Sequence, residues 1–309
     1  MKKEKIYIIG HKYPDTDSIC SAIAYSEYLN KKNKMTVASR LDEINEETKF
    51  VLSYFKVKQP KSLNKVKGKK IILLDHNEKA QSPDDIARAQ ILEIIDHHKI
   101  SFDGPNPIYF LTEPLGSTST LIAKKYLGDK KVKIKKEIAG ILLSGILSDT
   151  VVFRSPTTTK EDIEIAKKLA KIAKIKDIES FGIEIKKKKA SLKGMSPEKI
   201  IYSDFKVFDY KDKKIGIGQV EVCEPKEAQE KKEEILQKLK EINQKENYNL
   251  TILMVTDIIK KSSQLWAWGE TNYLESAFGK KVENHSLYLK NVLSRKKEIV
   301  PPLTKALQK

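Results

Sequence analysis

Three short apolar runs each end in acid and imidazole, and that pairing constrains the fold more than any other feature of the chain. Ile6-Tyr7-Ile8-Ile9-Gly10 leads into His11-Lys-Tyr-Pro14-Asp15-Thr-Asp17. Ile71-Ile72-Leu73-Leu74 leads into Asp75-His76-Asn77-Glu78, and Ile91-Leu92-Glu93-Ile94-Ile95 into Asp96-His97-His98. The chain holds five histidines, and four of them lie in these clusters. Continuous apolar runs of this length are typical of strands buried on both faces, as in parallel sheets. Strands that finish in carboxylate and imidazole make a sheet rim able to hold metal ions.

A length of 309 residues suits two domains, or one large domain with an appendage. The formal net charge of +17 comes almost wholly from lysine and favours anionic partners. The lysines are spread along the whole chain, and no basic stretch is interleaved with aromatics as a base-stacking surface would be. The excess therefore reads first as a solvated bias, and nucleic acid is not an expected partner. The two cysteines, Cys20 and Cys223, are isolated and fit a reducing compartment. The N-terminus has no secretory pattern and no apolar stretch could span a bilayer, so a soluble, cytoplasmic protein without membrane association is expected.

Strands are expected near residues 5–10, 35–38, 71–75, 91–96 and 108–111. Helices are expected from about Asp17, from Gly116-Ser-Thr-Ser-Thr to about Leu127, and over 134–148. Such alternation argues for an α/β fold with a doubly wound, mostly parallel N-terminal sheet. Lys186-Lys-Lys-Lys189-Ala-Ser-Leu-Lys-Gly194 reads as a linker, because like charges followed by Ser and Gly pack poorly. Domain boundaries of 1–188, 189–195 for the hinge and 196–309 follow from it. Beyond the linker, strands near 201–209, 214–223, 250–255 and 264–268, with a charged helix over 226–245, describe a smaller mixed α/β domain.

His11, Asp15 and Asp17 lie in a turn stiffened by Pro14, and in an extended loop the two acids would share a side. Aspartate with imidazole suits borderline ions such as Mn²⁺, Co²⁺ or Zn²⁺. Taken alone, the cluster is as well explained by an N-cap aspartate beside a surface histidine. Asp75 follows a buried run, where a carboxylate is costly unless paired or metal-bound, and its two oxygens could bridge two ions. Asp149 follows another apolar run and reads equally as helix cap or ligand. His97 and His98 are neighbours on an extended segment and should point oppositely, one toward metal and one toward substrate, with Asp96 orienting an imidazole. Ser294-Arg295-Lys296-Lys297 is by itself a basic tract, but arginine is scarce in this chain and grips phosphate bidentately.

His11-x-x-Pro14-Asp15-x-Asp17, Asp75-His-Asn-Glu78, Asp96-His97-His98, Ser148-Asp149-Thr150…Ser155-Pro-Thr157 and Ser294-Arg-Lys-Lys297 occur in that order along nearly the whole chain. The chain thereby resembles the family II, manganese-dependent inorganic pyrophosphatases of the DHH phosphoesterase superfamily. The resemblance implies that His11, Asp15, Asp75 and Asp149 bind one metal and that Asp17, Asp75, His97 and Asp149 bind a second. It implies two Mn²⁺ or Co²⁺ ions per subunit, Mg²⁺ entering with the pyrophosphate substrate, and a homodimer formed through the first domain. His98 would face the substrate. Lys206, in Asp204-Phe-Lys206-x-Phe208, Arg295 and Lys296 would hold the phosphates. The implied chemistry is in-line attack by a metal-bridging hydroxide, with catalytic roles for Asp75, His98 and Lys206. The chain departs from the family at Tyr13, Arg154 and Glu298, where asparagine, lysine and glutamine are usual. The nearest rivals are an exopolyphosphatase or an oligonucleotide-cleaving enzyme of the same superfamily.

Overall fold

The computed structural model describes residues 4–189, 192, 194–210, 213–223 and 225–308. The chain divides into two compact units, Met1–Lys189 and Ala190–Lys309.

The first unit runs β1 (Ile6–Ile9), α1 (Thr16–Lys31), β2 (Thr36–Arg40), α2 (Glu46–Tyr54), β3 (Lys61–Ser62), β4 (Lys70–Leu74), β5 (Gln90–Asp96) and β6 (Tyr109–Thr112). Four helices follow: α3 (Thr118–Gly128), α4 (Lys136–Asp149), α5 (Lys160–Ala173) and α6 (Ile178–Lys189). The strands form one six-stranded sheet in the order β3-β2-β1-β4-β5-β6, with every pairing parallel. From β1 the chain winds outward through β2 to β3, then returns to the other side of β1 for β4, β5 and β6. The strand order thus reverses between β1 and β4, and in open α/β sheets ligands bind where it does so.

Alternate residues of the central strands serve opposite faces. Ile8, Ile72, Leu74 and Ile95 join a core with α1 to α6, whereas Ile9, Ile71, Leu73 and Ile94 join a smaller cluster under loops. Among the described residues, only one face of this sheet therefore carries α-helices. The β4–β5 and β5–β6 connections that close the other face carry Pro83, Gly104, Pro105 and Pro107, which break longer helices. Helix α4 is apolar all round because it lies inside, packed against other helices on the core side. α5 starts on a reciprocal capping box between Thr159 and Asp162.

The lysine run read as linker begins in a different setting. Lys186 to Lys189 are the end of α6, and Lys186 is only 6% exposed. A charge run looks like linker only if every member faces water, and Lys186 has a buried partner. Of the remaining expected linker, residues 190, 191 and 193 lie outside the described set.

The second unit contains α7 (Pro197–Ile201), β7 (Phe205–Tyr210), β8 (Lys213–Val222), α8 (Lys226–Glu230), α9 (Lys232–Lys245), β9 (Leu250–Asp257), β10 (Ser262–Gly269), α10 (Asn272–Phe278), β11 (Ser286–Lys290) and α11 (Val300–Ala306). Its sheet has the order β11-β10-β9-β8-β7, parallel only between β8 and β9. Residues 201–204, expected to open a strand, are helical instead. Ser196 caps Lys199 N, and Pro197 stands where a first helical turn wants it. The charged helix expected over 226–245 is interrupted at Lys231. No helix among the described residues is long and apolar enough to cross a membrane.

Gly140 lets α4 lie against α2: a Cβ there would sit 2.2 Å from Cε1 of Phe55, a ring only 5% exposed. Alanine would gain helix propensity worth about 1 kcal/mol. Overpacking a filled core costs about 1–3 kcal/mol, and here the clash is with a ring that has nowhere to go. Gly140→Ala is expected to lower the thermal midpoint. A raised midpoint in a melting experiment would show that Phe55 has room to move.

Candidate metal centre

The first cluster lies at the switch point. β1 ends at Ile9, and the chain crosses through His11 to Asp15, the N-cap of α1, whose carboxylate accepts from Ser18 N at 2.9 Å. Asp17 is in the first helical turn, so the two acids do not share an extended loop as expected. The helical rotation sends them to different neighbours. His11 Nε2 lies 3.6 Å from Asp15 Oδ1 and 3.5 Å from Asp75 Oδ2. Its Nδ1–H donates to Lys12 O at 2.7 Å, which leaves Nε2 facing the acids.

Asp75 follows β4 with φ of +64°, a left-handed conformation that aspartate tolerates better than most residues. Its carboxylate faces two ways. Oδ2 points to His11, while Oδ1 lies 3.5 Å from His97 Nε2. His97 Nε2 is also 3.2 Å from Asp149 Oδ2, at the end of α4. The orientation makes no hydrogen bond, so this nitrogen is a buried polar atom without a hydrogen-bond partner. His97 Nδ1–H donates to Leu115 O at 2.9 Å, so Nε2 is the atom that offers a lone pair once its own proton is lost.

Three overlapping groups result among the described residues. His11, Asp15 and Asp75 offer ligand atoms all within 4.8 Å of one another, and so do Asp17, Asp75, His97 and Asp149, and Asp75, His97 and His98. Asp75 is common to all three. The structure therefore gathers all six side chains expected to ligate metal; His11, Asp15, Asp75 and Asp149 line a cleft of about 300 Å³ together with His98 and Glu78. Their donor set, imidazole nitrogen with carboxylate oxygen, matches borderline divalent ions.

The supporting contacts come from distant segments. Asp17 accepts from Thr118 N at 2.6 Å and Ser119 N at 2.9 Å, the first amides of α3. Helix N-termini favour negative charge at that position. Thr118 Oγ1 donates to Asp75 Oδ1 at 2.9 Å. Gly145 permits α4 to approach, since a Cβ there would meet Asp17 Oδ1 at 2.8 Å. After Asp149 the chain takes positive φ at Val151, Val152 and Phe153. Such a left-handed turn costs about 1–2 kcal/mol per residue. Val152 N donating to Leu147 O at 2.8 Å and Ser155 N to Thr150 O at 2.8 Å hold it in place. None of these partners was singled out from sequence. The Ser/Thr run at 117–120 reads as a helix cap, but nothing in it says that it caps toward Asp17.

His97 and His98 take different hydrogen-bond partners but do not point oppositely as expected: their ring centroids are 4.2 Å apart and both reach Asp75. The His98 side chain is 50% exposed, and its Nδ1–H donates to Asp96 Oδ1 at 2.8 Å. Asp96 is fully buried and accepts at Oδ2 from Asn77 Nδ2 at 2.6 Å. His76 is spent on the fold: Nδ1–H donates to Leu74 O at 3.0 Å and Nε2 meets the Ser82 hydroxyl at 3.0 Å. Burial pulls its pKa down to about 4, so it is neutral.

Electrostatics in the metal-free cleft follow from crowding. Burial alone would lower the pKa of His11, yet Asp15 and Asp75 overcome it and raise it to about 11. Burial likewise disfavours charge on His97, and Asp149, Asp75 and Asp17 reverse that, raising it. Burial lifts Asp75 to about 6 against the pull of His11. Asp17 is raised by burial and by the charges of Asp75 and Asp149. His98 is raised by its bond to Asp96.

The other candidates belong to the second unit. Lys206 is exposed on β7, and Lys296 is exposed in the turn 295–299. Arg295 differs from the exposed phosphate grip expected of it. It is 5% exposed and its Nη2 donates to Asp204 Oδ1 at 2.8 Å and Oδ2 at 2.9 Å, with Nη1 on Ile217 O at 3.1 Å. A guanidinium taken out of water needs a carboxylate partner, and Asp204, just before β7, supplies it. Glu298, one of the departures, accepts from Leu293 N and Ser294 N, both at 2.8 Å, and so braces that turn. Arg154 pairs with Glu179 at 2.6 Å, and Tyr13 has φ of 51° and a side chain in water.

Residues 5–146 match the model of the DHH family, N-terminal domain, and residues 183–306 match the DHHA2 domain. The chain is similar to the manganese-dependent inorganic pyrophosphatase of Methanocaldococcus jannaschii, 48% identical over 97% of this chain and 98% of that protein. It is 42% identical to the manganese-dependent inorganic pyrophosphatase of Bacillus subtilis over 98% of this chain and 99% of that protein. A crystal structure described as a Methanococcus jannaschii "putative family II inorganic pyrophosphatase" superposes with a TM-score of 0.68, at 47% identity over 98% of this chain and all of that one. An exopolyphosphatase-related protein from Bacteroides fragilis shares the fold at 17% identity, with a TM-score of 0.53 over 99% of this chain and 92% of that one.

The upward shifts have a sign that can be checked. The folded pKa of His11, about 11, exceeds its ordinary 6.5, and that of Asp75, about 6, exceeds 3.8. The metal-free folded state therefore binds more protons than the unfolded chain, and stability falls as pH rises. The His11 contribution is complete below pH 6.5 and is lost toward about 11. Metal-free protein is expected to melt at a lower temperature at about pH 9 than at about pH 6, and Mn²⁺ to narrow the gap by replacing protons. Melting curves at constant ionic strength test this; a midpoint that climbs over the interval contradicts it.

Proposed function

The chain belongs to the family of manganese-dependent inorganic pyrophosphatases built from DHH and DHHA2 domains, and on that premise we propose that it hydrolyses pyrophosphate to two orthophosphates. The observation that carries this reading is the double-facing carboxylate of Asp75, one oxygen toward each histidine. It supports His11, Asp15 and Asp75 as the holders of one ion and Asp17, Asp75, His97 and Asp149 as the holders of another, with Asp149 also serving the first. Mn²⁺ or Co²⁺, two per chain, suits these donors, and Mg²⁺ would accompany the substrate. The buried, unsatisfied His97 Nε2 and the crowded carboxylates fit divalent cations. Bound ions would supply Lewis acidity, activating water near neutral pH and offsetting phosphate charge.

The chain's own groups complete the chemistry. Asp96 holds His98 by Nδ1 and favours its protonated form, in which Nε2–H is the proton that can be given to the bridging or departing phosphate oxygen. Asp75 sets the spacing of the two donor groups. Lys206 and Lys296 are the proposed cations for the phosphoryl oxygens. Arg295 would reach substrate only on release from Asp204. We further propose a homodimer through the first unit. β6 is an edge strand with no strand on its outer side among the described residues, and Tyr109 on it is 51% exposed. Cytoplasmic residence is proposed with it.

Asp75→Asn is expected to keep the fold, because asparagine also accepts positive φ. It should lower phosphate release by more than about 100-fold, exceeding what loss of a partner behind a ligand costs. Circular dichroism with a phosphate assay checks both halves; near-normal turnover would remove the bridging role. Lys296→Ala is expected to cut turnover about 10²–10³-fold, as loss of one charge-stabilising donor does, with Mn²⁺ affinity unchanged. The decisive assay follows phosphate release after chelation and readdition of Mn²⁺, Mg²⁺ or Zn²⁺, with polyphosphate and short RNA run beside pyrophosphate. Faster cleavage of polyphosphate, or full activity without any ion, would displace the proposal.

A further inference from the structure

Glu47 is the second residue of α2 and is 1% exposed. Its Oε1 accepts from Thr16 Oγ1 at 2.7 Å and from Ser148 Oγ. Its Oε2 lies 3.1 Å from Lys186 Nζ, on α6. Lys186 Nζ also donates to Ser148 O at 3.3 Å. Thr16 stands between Asp15 and Asp17, and Ser148 directly precedes Asp149. One buried ion pair therefore reaches the immediate neighbours of three of the acids in the candidate metal groups, Asp15, Asp17 and Asp149. Helix α6 touches the same region a second time: a Cβ on Gly182 would lie 2.9 Å from both methyls of Val152, inside the left-handed turn after Asp149.

A buried pair is a poor device for stability, because desolvating two charges offsets their attraction and an apolar pair of equal volume does as well or better. A buried charge does something an apolar side chain cannot: it accepts from two hydroxyls and attracts a lysine ammonium in one fixed geometry. We propose that Glu47 and Lys186 are positioning residues, whose ion pair sets the separation between the Asp15–Asp17 turn and the Ser148–Asp149 helix end that divalent cation binding needs. The pair touches neither ion nor substrate and acts through Thr16 and Ser148. The proposal rests on the metal-binding reading given above and deepens it. It also gives Lys186 a task other than that of a linker charge.

The test uses metal-stripped full-length protein and three variants: Glu47→Gln, Lys186→Met, and the apolar pair Glu47→Leu with Lys186→Met. Free Mn²⁺ is titrated by electron paramagnetic resonance, and thermal midpoints are recorded without metal. Glu47→Gln keeps shape and one acceptor, so it keeps the fold. Each single substitution is expected to weaken Mn²⁺ affinity about 10–100-fold, the usual effect of losing a group behind a ligand. Activity lost at limiting Mn²⁺ should return at excess Mn²⁺. The apolar pair should regain the wild-type midpoint while its Mn²⁺ affinity stays low, which separates positioning from mere packing. Wild-type affinity in Glu47→Gln, or recovery of affinity together with stability in the apolar pair, overturns the proposal. A wild-type protein that binds Mn²⁺ without cleaving pyrophosphate sinks the functional reading and leaves the affinity comparison standing.

Discussion

Asp17 is fully buried, Asp75 is 2% exposed, and both face Asp149 across His97. Taking ionised carboxylates out of water costs several kcal/mol each, and packing them together adds repulsion. Much of the first unit can be understood as the means of tolerating this. The amides of α3 meet Asp17, the Thr118 hydroxyl meets Asp75, and imidazoles raised well above their ordinary pKa stand between the acids. The compensation is incomplete, since His97 Nε2 still lacks a hydrogen-bond partner. Divalent cations would complete it, and the same charge would then attract a polyanion that the bare cleft repels.

The sheet explains why so many acids arrive at one place. Parallel strands present their C-terminal ends along one edge, and the order reverses between β1 and β4. The loops after those two strands part there and leave an opening. His11 comes from one side of it, Asp75 from the other, and His97 from the next strand along. α4 contributes Asp149 from behind because Gly145 removes the side chain that would hold it off. Local strain concentrates here too, at Asp75 and in the turn after Asp149.

The second unit handles charge differently. Arg295 is buried and neutralised by Asp204, and Glu298 braces the turn by accepting two backbone amides. The adjoining Lys296 and Lys297 remain exposed. A single basic tract thus splits into one structural cation and two accessible ones. Of these three residues, only the arginine offers a planar fork that matches a carboxylate bidentately.

The sequence alone determined most of the strands, though neither β3 nor β11, the parallel arrangement of the first sheet and the identities of the clustered acids and imidazoles. Each of those is written in short-range pattern: apolar runs of strand length, followed at once by Asp or His. It did not settle how His97 and His98 divide, because the strand ends at Asp96 and the chain bends at both residues. The tertiary structure decided what no local pattern encodes. Asp15 and Asp17 go to different neighbours because the chain is already helical there, and Lys186 is a buried partner of Glu47, residues 139 positions apart in the chain (186 − 47). Arg295 likewise turned inward because Asp204 comes to lie within hydrogen-bonding reach. Solvation depends on what folds over a residue from elsewhere in the chain, so the same lysine or arginine in sequence can be a surface charge or a buried tie.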